Sequence, residues 1–413
     1  MNISKVAVIG LGYIGLPTAA VLASRKISVV GVDVNQQCVD TVNRGQIHIV
    51  EPDLDIVVHA AVTEGYLRAT TQPEAADAFL IAVPTPFKDG FKPDLGYIES
   101  ASRAIAPVLK TGDLVILEST SPVGATELMA QWLAEARPDL SFPQTAGESS
   151  DIRIAHCPER VLPGHVLREL VHNDRVIGGM TQKCSLAAEA LYRTFVQGEC
   201  LLTSVRTAEM CKLTENSFRD VNIAFANELS IVCEKLGINV WELIKLANRH
   251  PRVNILQPGP GVGGHCIAVD PWFIVDSAPE EARIIRTARE VNDSKPEYVI
   301  AQVSSAAANI AQPVIACLGL SFKADIDDLR ESPSVEIAYS LAKRRIGNVL
   351  AVEPHITSLP SKLNGLIELR SLEDALKEAD IVVLLVDHTV FRAAVGRQKS
   401  GAVVVDTRGL FQN

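Results

Sequence analysis

Hydrophobic residues along this chain gather in short runs cut off by polar, glycine- or proline-bearing stretches. Residues 6–9, 27–32, 78–83 and 114–118 are apolar runs of strand length. They are apolar without alternation, as strands are when helices cover both faces of a sheet. Residues 16–24, between the first two runs, read as a helix, and a further strand opens at DIRIAHC (151–157). Residues 207–236 contain neither Gly nor Pro and carry a helical period, with Thr207 expected as N-cap, Glu209 in the first turn and Gly237 as the stop. The last third repeats the plan of the first. A strand over 314–318 leads to a helix opened by Ser332-Pro333 and running to about 345, then strands at 349–352, 381–386 and 402–405. The pattern predicts an α/β protein of two doubly wound domains joined by a long central helix, divided at 1–200, 201–305 and 306–413.

The first repeat carries a chemical signature. Its strand runs into Gly10, Gly12 and Gly15, spaced GxGxxG, with Tyr13 and Ile14 inside the turn, and the next strand ends in Asp33. In a Rossmann-like fold these glycines allow the tight turn, the approach of a pyrophosphate and the packing of helix on strand. The helix N-terminus favours the negative charge. A carboxylate at the end of the second strand accepts from ribose hydroxyls and repels a 2′-phosphate, so NAD is expected over NADP. Thr85 and Thr120 follow later strands, where they could face the nicotinamide half of the cofactor or simply serve as turn hydroxyls. The segment 87–94, FKDGFKPD, reads as a mobile lid.

The long helix bears one polar stripe, Lys212, Asn216 and Arg219, spaced i, i+4, i+7. It reads either as a solvent-facing stripe or as the wall of a site, and such a helix can also form a dimer interface. Downstream, Arg249-His250-Pro251-Arg252 suits an anionic ligand, and the glycine-dense GPGVGGHCIAVD (259–270) presents Cys266 four residues before Asp270. A lone cysteine is either a small core hydrophobe or a nucleophile, and both readings stay open on the loop alone. Glu159 and Arg160, after a strand end, could be a general base and an anion contact or a solvated ion pair. The second repeat retains a single turn glycine, Gly319, flanked by Lys323 and Arg330, which predicts a second phosphate-bearing ligand.

Composition narrows the class. A length of 413 residues calls for two or three domains. The net charge of −10 argues against a nucleic-acid binder. Eight cysteines without a CxxC pair argue against a zinc site or a disulfide framework. No signal-peptide layout or bilayer-length apolar run is evident, so a soluble, cytoplasmic protein without membrane or metal partners is expected.

Taken together, GLGYIGLP (10–17), Asp33, VPTP (83–86), ESTSPVG (118–124), CPERVLPG (157–164), EMCKLTEN (209–216), PGPGVGGHCIAVDP (258–271) and SFKADIDDLRESP (321–333) resemble the UDP-glucose/GDP-mannose dehydrogenase family over the whole chain. The CPERVLPG form is similar to the branch acting on UDP-N-acetylhexosamines. The resemblance implies oxidation of the C6 alcohol of UDP-N-acetyl-D-mannosamine to a carboxylate by two NAD and one water, serving synthesis of enterobacterial common antigen or another surface polysaccharide. UDP-N-acetylglucosamine and UDP-glucose are the alternative substrates. It further implies Cys266 as covalent nucleophile, Lys212 and Asn216 as oxyanion contacts, Asp270 in proton transfer, Glu159 activating water, and Thr120 in the catalytic group. Thr85, Thr126 and Arg330 are implied as cofactor contacts. Arg160, Val161, Lys212, Asn216, Arg219, His250, Arg252, Gly263 and Lys323 are implied as substrate contacts, in a homodimer where Arg252 reaches the partner.

Overall fold

The structure, a computed structural model, describes residues 3–411 apart from Pro163, His265 and the side chain of Asp89. The proline of the 157–164 motif and the histidine preceding Cys266 therefore lie outside the described residues. The chain divides into two compact units, Met1–Glu215 and Asn216–Asn413.

The first unit is built on β1 (Lys5–Ile9), β2 (Ser28–Val32), β3 (Leu67–Thr70), β4 (Ala78–Ile81), β7 (Leu114–Leu117), β8 (Arg153–His156), β9 (Arg175–Gly179) and β10 (Cys200–Ser204), with a small hairpin of β5 (Phe87–Lys88) and β6 (Lys92–Pro93). The eight strands form one sheet in the order β10-β9-β8-β7-β4-β1-β2-β3. They run parallel as far as β8, which pairs antiparallel with β9. Alternate residues of β1 explain the apolar runs: Val6 and Val8 enter one core cluster, Ala7 and Ile9 the other. Both faces of the sheet are covered, so neither face of the strand can be polar. The strand order reverses between β1 and β4, and the carboxyl ends there form the crevice in which open parallel sheets hold ligands.

The 87–94 segment, read above as a mobile lid, forms a small hairpin. β5 and β6 pair antiparallel, Phe87 stacks edge-on against Phe91 at 5.4 Å, and Lys88 bridges Asp94 at 2.9 Å.

The second unit carries a five-stranded, all-parallel sheet of β11 (Val314–Leu318), β12 (Asn348–Val352), β13 (Glu368–Leu369), β14 (Ile381–Leu384) and β15 (Val403–Asp406), in the order β13-β12-β11-β14-β15. The internal repeat seen in the sequence holds at the level of backbone bonds. Gly10 N–H donates to Val32 at 2.8 Å, and Gly319 N–H donates to Val352 at 2.8 Å, each glycine at positive φ.

The long helix spans Val205–Leu236, two residues before the expected start. Thr207 is thus a residue of the first turn and not the cap. Its N–H donates to the Ser204 hydroxyl at 3.2 Å, which is the capping contact. Gly237, at φ 68°, ends the helix as expected, with Ile238 N–H returning to the Cys233 carbonyl at 2.8 Å.

Candidate active site

In the first unit the glycine turn has the shape a dinucleotide requires. A Cβ at Gly10 would stand 2.6 Å from the Ala82 carbonyl oxygen, and one at Gly15 would stand 1.8 Å from the Gly10 oxygen, so both positions exclude any side chain. Gly12 faces open space. The helix Gly15–Ser24 begins here with no acidic residue in its first turn, leaving its N-terminal charge uncompensated by the chain. Asp33 turns one oxygen onto Leu11 N–H at 3.0 Å and the other onto Asn35 N–H at 2.9 Å. It therefore stiffens the glycine turn while each oxygen keeps a lone pair for a ribose hydroxyl. These residues fit a bound NAD. Tyr13 and Ile14 sit at the mouth of the turn, Ile14 as the residue before the helix.

The loop after β7 is held from a distance. Glu209 on the long helix is fully buried and accepts Gly124 N–H at 2.7 Å, Thr126 N–H at 2.8 Å and the Thr126 hydroxyl at 2.6 Å. Burial raises its carboxyl pKa, and the Thr126 and Gly124 bonds pull the other way. Thr126, expected to touch cofactor, has no exposed surface and spends its hydroxyl on Glu209. In this position it shapes the loop after β7. The Thr85 hydroxyl donates to the Thr120 carbonyl, tying the loops after β4 and β7 together where both face the crevice.

Under these loops lies a buried titratable cluster that motif reading did not show. Arg175 reaches Glu159 at 2.7 Å, and the other Glu159 oxygen accepts Arg160 N–H at 2.6 Å. Tyr192 donates to Glu118 at 2.6 Å. Burial, and then the neighbouring Glu159 carboxylate, push the Glu118 carboxyl up to about 7. Burial alone holds His156 neutral, with its pKa lowered to about 3, while burial first, opposed by Arg175 and aided by Glu118, pushes the Cys157 thiol up to about 12. Arg160 forks onto Glu215, at 3.1 and 2.6 Å, and Val161 packs against the core of this unit. Lys212 is half-buried, one turn before Asn216.

In the second unit Asn216 is buried and donates to Asp270 at 2.5 Å. Asp270 N–H and Val269 N–H both return to the Cys266 carbonyl, at 2.9 and 3.0 Å, so the cysteine sits on the turn that opens the helix Asp270–Ser277. Cys266 itself is half-buried. The density of glycine in this loop has a packing cause as well as a chemical one. A Cβ at Gly263 would lie 2.6 Å from the Glu331 carbonyl oxygen, and one at Gly264 would press on the Phe322 ring at 3.2 Å. The loop therefore lies flat against the turn after β11. Arg219, His250, Arg252 and Lys323 are exposed, and Arg330 pairs with Asp328 at 2.6 Å. Arg408 is bound to Asp387 at 2.7 Å.

The acid closing β12 repeats the backbone contacts of Asp33, onto the N–H after the turn glycine and the N–H two residues on, and adds a buried histidine. Glu353 is buried, accepts Leu320 N–H at 2.7 Å and Ser321 N–H at 3.0 Å, and meets His388 Nε2 at 3.0 Å. Since His388 Nδ1 accepts Asp325 N–H at 2.9 Å, the ring proton lies on Nε2 and points to Glu353. Asp325, His355 and His388 gather possible metal ligands within 4.8 Å, but both ring nitrogens of His388 are thereby committed.

Three domain descriptions match the sequence in order: the NAD binding domain of the UDP-glucose/GDP-mannose dehydrogenase family over residues 4–196, its central domain over 206–294, and its UDP binding domain over 316–413. The chain belongs to this family. It is an NAD-dependent UDP-sugar dehydrogenase, an oxidoreductase. A Ralstonia nicotianae protein named NDP-N-acetyl-D-galactosaminuronic acid dehydrogenase is 70% identical over 100% of this chain and 97% of its own. The Escherichia coli K12 UDP-N-acetyl-D-mannosamine dehydrogenase is 63% identical over 100% of both chains. Among solved structures, a UDP-N-acetyl-mannosamine dehydrogenase from Staphylococcus aureus is 42% identical with a TM-score of 0.86, over 99% of this chain and 96% of that one. Among the described residues no helix is long and apolar enough to cross a membrane.

Proposed function

We propose that this dehydrogenase oxidises the C6 alcohol of UDP-N-acetyl-D-mannosamine to the carboxylate, with Cys266 as covalent nucleophile. The observation that carries the reading is the half-buried thiol of Cys266 on the turn that Asp270 closes, with Asp270 held by Asn216 one helical turn beyond Lys212. Bound NAD accepts an electron pair with hydrogen in each of two oxidations. In the first, Asp270 takes the alcohol proton beside the Lys212 ammonium, and the alcohol becomes an aldehyde. The Cys266 sulfur then bonds to the aldehyde carbon, and the oxygen gains a proton, giving a thiohemiacetal that cannot diffuse away. Its oxidation gives a thioester, whose carbonyl oxygen is polarised by Lys212 and Asn216. Water adds, the C–S bond breaks and the thiol is restored. The balance is one alcohol, two NAD and one water to one carboxylate, two NADH and three protons.

Glu159, the residue assigned to activate the incoming water, is held by Arg175 at 2.7 Å, and 6% of it remains open to solvent. Arg160, Val161, Arg219, His250, Arg252, Gly263 and Lys323 are assigned to the substrate, and Thr85, Thr120 and Arg330 to the reacting and cofactor ends. The parts at 1–200, 201–305 and 306–413 then hold NAD, the catalytic helix and loop, and UDP. Exposed Phe218, Phe225 and Ile284 on neighbouring helices, 68%, 54% and 72% accessible, suit a second copy of the chain and support a homodimer. The reaction is set in the cytoplasm, and its uronic acid product suits a surface polysaccharide such as enterobacterial common antigen.

The identity of the Ralstonia relative favours a second reading, in which the sugar is an N-acetylgalactosamine. Assaying UDP-N-acetylmannosamine, UDP-N-acetylgalactosamine, UDP-N-acetylglucosamine and UDP-glucose in parallel, with NADH counted per sugar, decides between them. Two NADH per N-acetylmannosamine at the highest kcat/KM supports the proposal, and a higher kcat/KM on another sugar replaces it.

A further inference from the structure

The root of the cysteine loop is held by a chain of buried polar side chains. Gly259 N–H, seven residues before Cys266, donates to Asn227 Oδ1 at 2.8 Å. Asn227 Nδ2 donates to Asn292 Oδ1 at 2.9 Å, and Asn292 Nδ2 to Asp220 Oδ1 at 2.8 Å. Arg289 closes the chain on the same Asp220 oxygen at 2.6 Å. Asp220, Asn227, Asn292 and Arg289 are each at most 1% exposed.

The chain has one direction. A carboxylate only accepts, so Asn292 must turn its NH2 to Asp220 and its oxygen to Asn227. Asn227 must then turn its NH2 to Asn292, which leaves its oxygen for Gly259. Flipping either amide sets two acceptors or two donors face to face in a dry interior, at a cost comparable to leaving buried groups unpaired.

Asn227 stands eleven residues after Asn216 on the same helix. Eleven residues are close to three turns, so the two side chains share a face and stand about 16 Å apart along the axis. Asn227 grips the loop where it begins, and Asn216 grips it at Asp270 where it ends.

We propose that Asn227 is a positioning residue for Cys266, fixing the height along the long helix at which the loop offers its sulfur. The inference rests on the reading of Cys266 as nucleophile. Displacing a reacting group by about 1 Å can cost about a hundredfold in rate.

The test uses the full-length protein with N227A, N227D and C266S. N227A is expected to lose tenfold or more in kcat, with KM for NAD within twofold, and to release aldehyde, so that NADH per sugar falls from two towards one. Its rate of Cys266 alkylation by iodoacetamide, read on the cysteine's own peptide, is expected to change fivefold or more in the same range. N227D separates positioning from folding. Once protonated, its carboxyl can accept from Gly259 and donate to Asn292, so its kcat relative to wild type is expected to recover as pH falls. Wild-type kcat, stoichiometry and alkylation rate in N227A overturn the proposal, as does an N227D/wild-type ratio that stays flat with pH. Undiminished acid formation by C266S instead overturns the nucleophile, a different failure, and leaves the alkylation rate to report on the loop.

Discussion

Glu209 closes on Thr126 across 83 residues of sequence, taking both its N–H and its hydroxyl on one carboxylate oxygen. The other oxygen takes Gly124 N–H. One buried side chain on the long helix thus satisfies the start of another helix and shapes the loop beside the cofactor crevice. Glu209→Gln sets an NH2 against a donor. The expected loss is about 2–4 kcal/mol of stability, the cost of leaving buried donors unpaired, with a raised KM for NAD. Urea unfolding and NAD titration read both, and a variant as stable as wild type would remove Glu209 from this role.

Glu118 predicts a pH dependence of stability. Its folded pKa, raised to about 7 by burial and by Glu159, lies above the 4.5 of an ordinary glutamate. The folded protein therefore holds a proton that the unfolded chain releases, and stability from this group is present below pH 4.5 and lost as pH rises through about 7. Glu118→Gln keeps an acceptor for Tyr192 and removes the titration. It is expected to gain on wild type by up to about 3 kcal/mol between pH 5 and pH 8, at 1.36 kcal/mol per unit. Thermal unfolding at the two pH values measures this, and a gap that does not widen with pH contradicts the assignment.

The two outer glycines of the turn and the middle one should fail differently. Gly15→Ala drives a Cβ into the Gly10 carbonyl oxygen, and the expected result is a protein that folds poorly. Gly12→Val meets no protein atom within 4 Å of the added Cβ. Its melting temperature should stay near wild type while KM for NAD rises tenfold or more, because the second glycine is where the pyrophosphate approaches. Calorimetry beside NAD kinetics separates the two. Equal NAD affinity in Gly12→Val would move the cofactor elsewhere.

Lys212 and Cys266 should separate the two oxidations. Lys212→Met removes the charge proposed to face each oxyanion, with kcat expected to drop about 10²–10³-fold. Cys266→Ser should abolish acid formation while a single turnover of NADH and trappable aldehyde remain. Rapid quench with a hydrazine trap reads the difference, and full acid yield from Cys266→Ser would end the covalent scheme.

The strand–turn–helix–strand plan of both sheets was legible because its information is local. The spacing from Gly10 to Asp33, and its weaker echo from Gly319 to Glu353, fits within one βαβ unit. The strands β3, β9 and β10 carried less signal. β10 is an edge strand with Leu201 and Leu202 47% and 42% exposed, and β9 ends in two glycines, so neither makes a long apolar run. The shift of the cap from Thr207 to Ser204 is a local competition between two hydroxyls that spacing does not rank.

The chain's own letters determined which residues could do chemistry: a glycine turn with an acid beyond it, a helix with Lys212 and Asn216 on one face, a cysteine four residues before an aspartate. Only the tertiary structure decided which polar groups are spent on holding those residues still. Glu209 with Thr126, Arg175 with Glu159, and Asn227 with Gly259 are each brought together by folding and not by spacing. The reason is that a polar group removed from water must find a partner in the interior. Which partner it finds depends on how the helices and strands pack, and a local pattern cannot encode that.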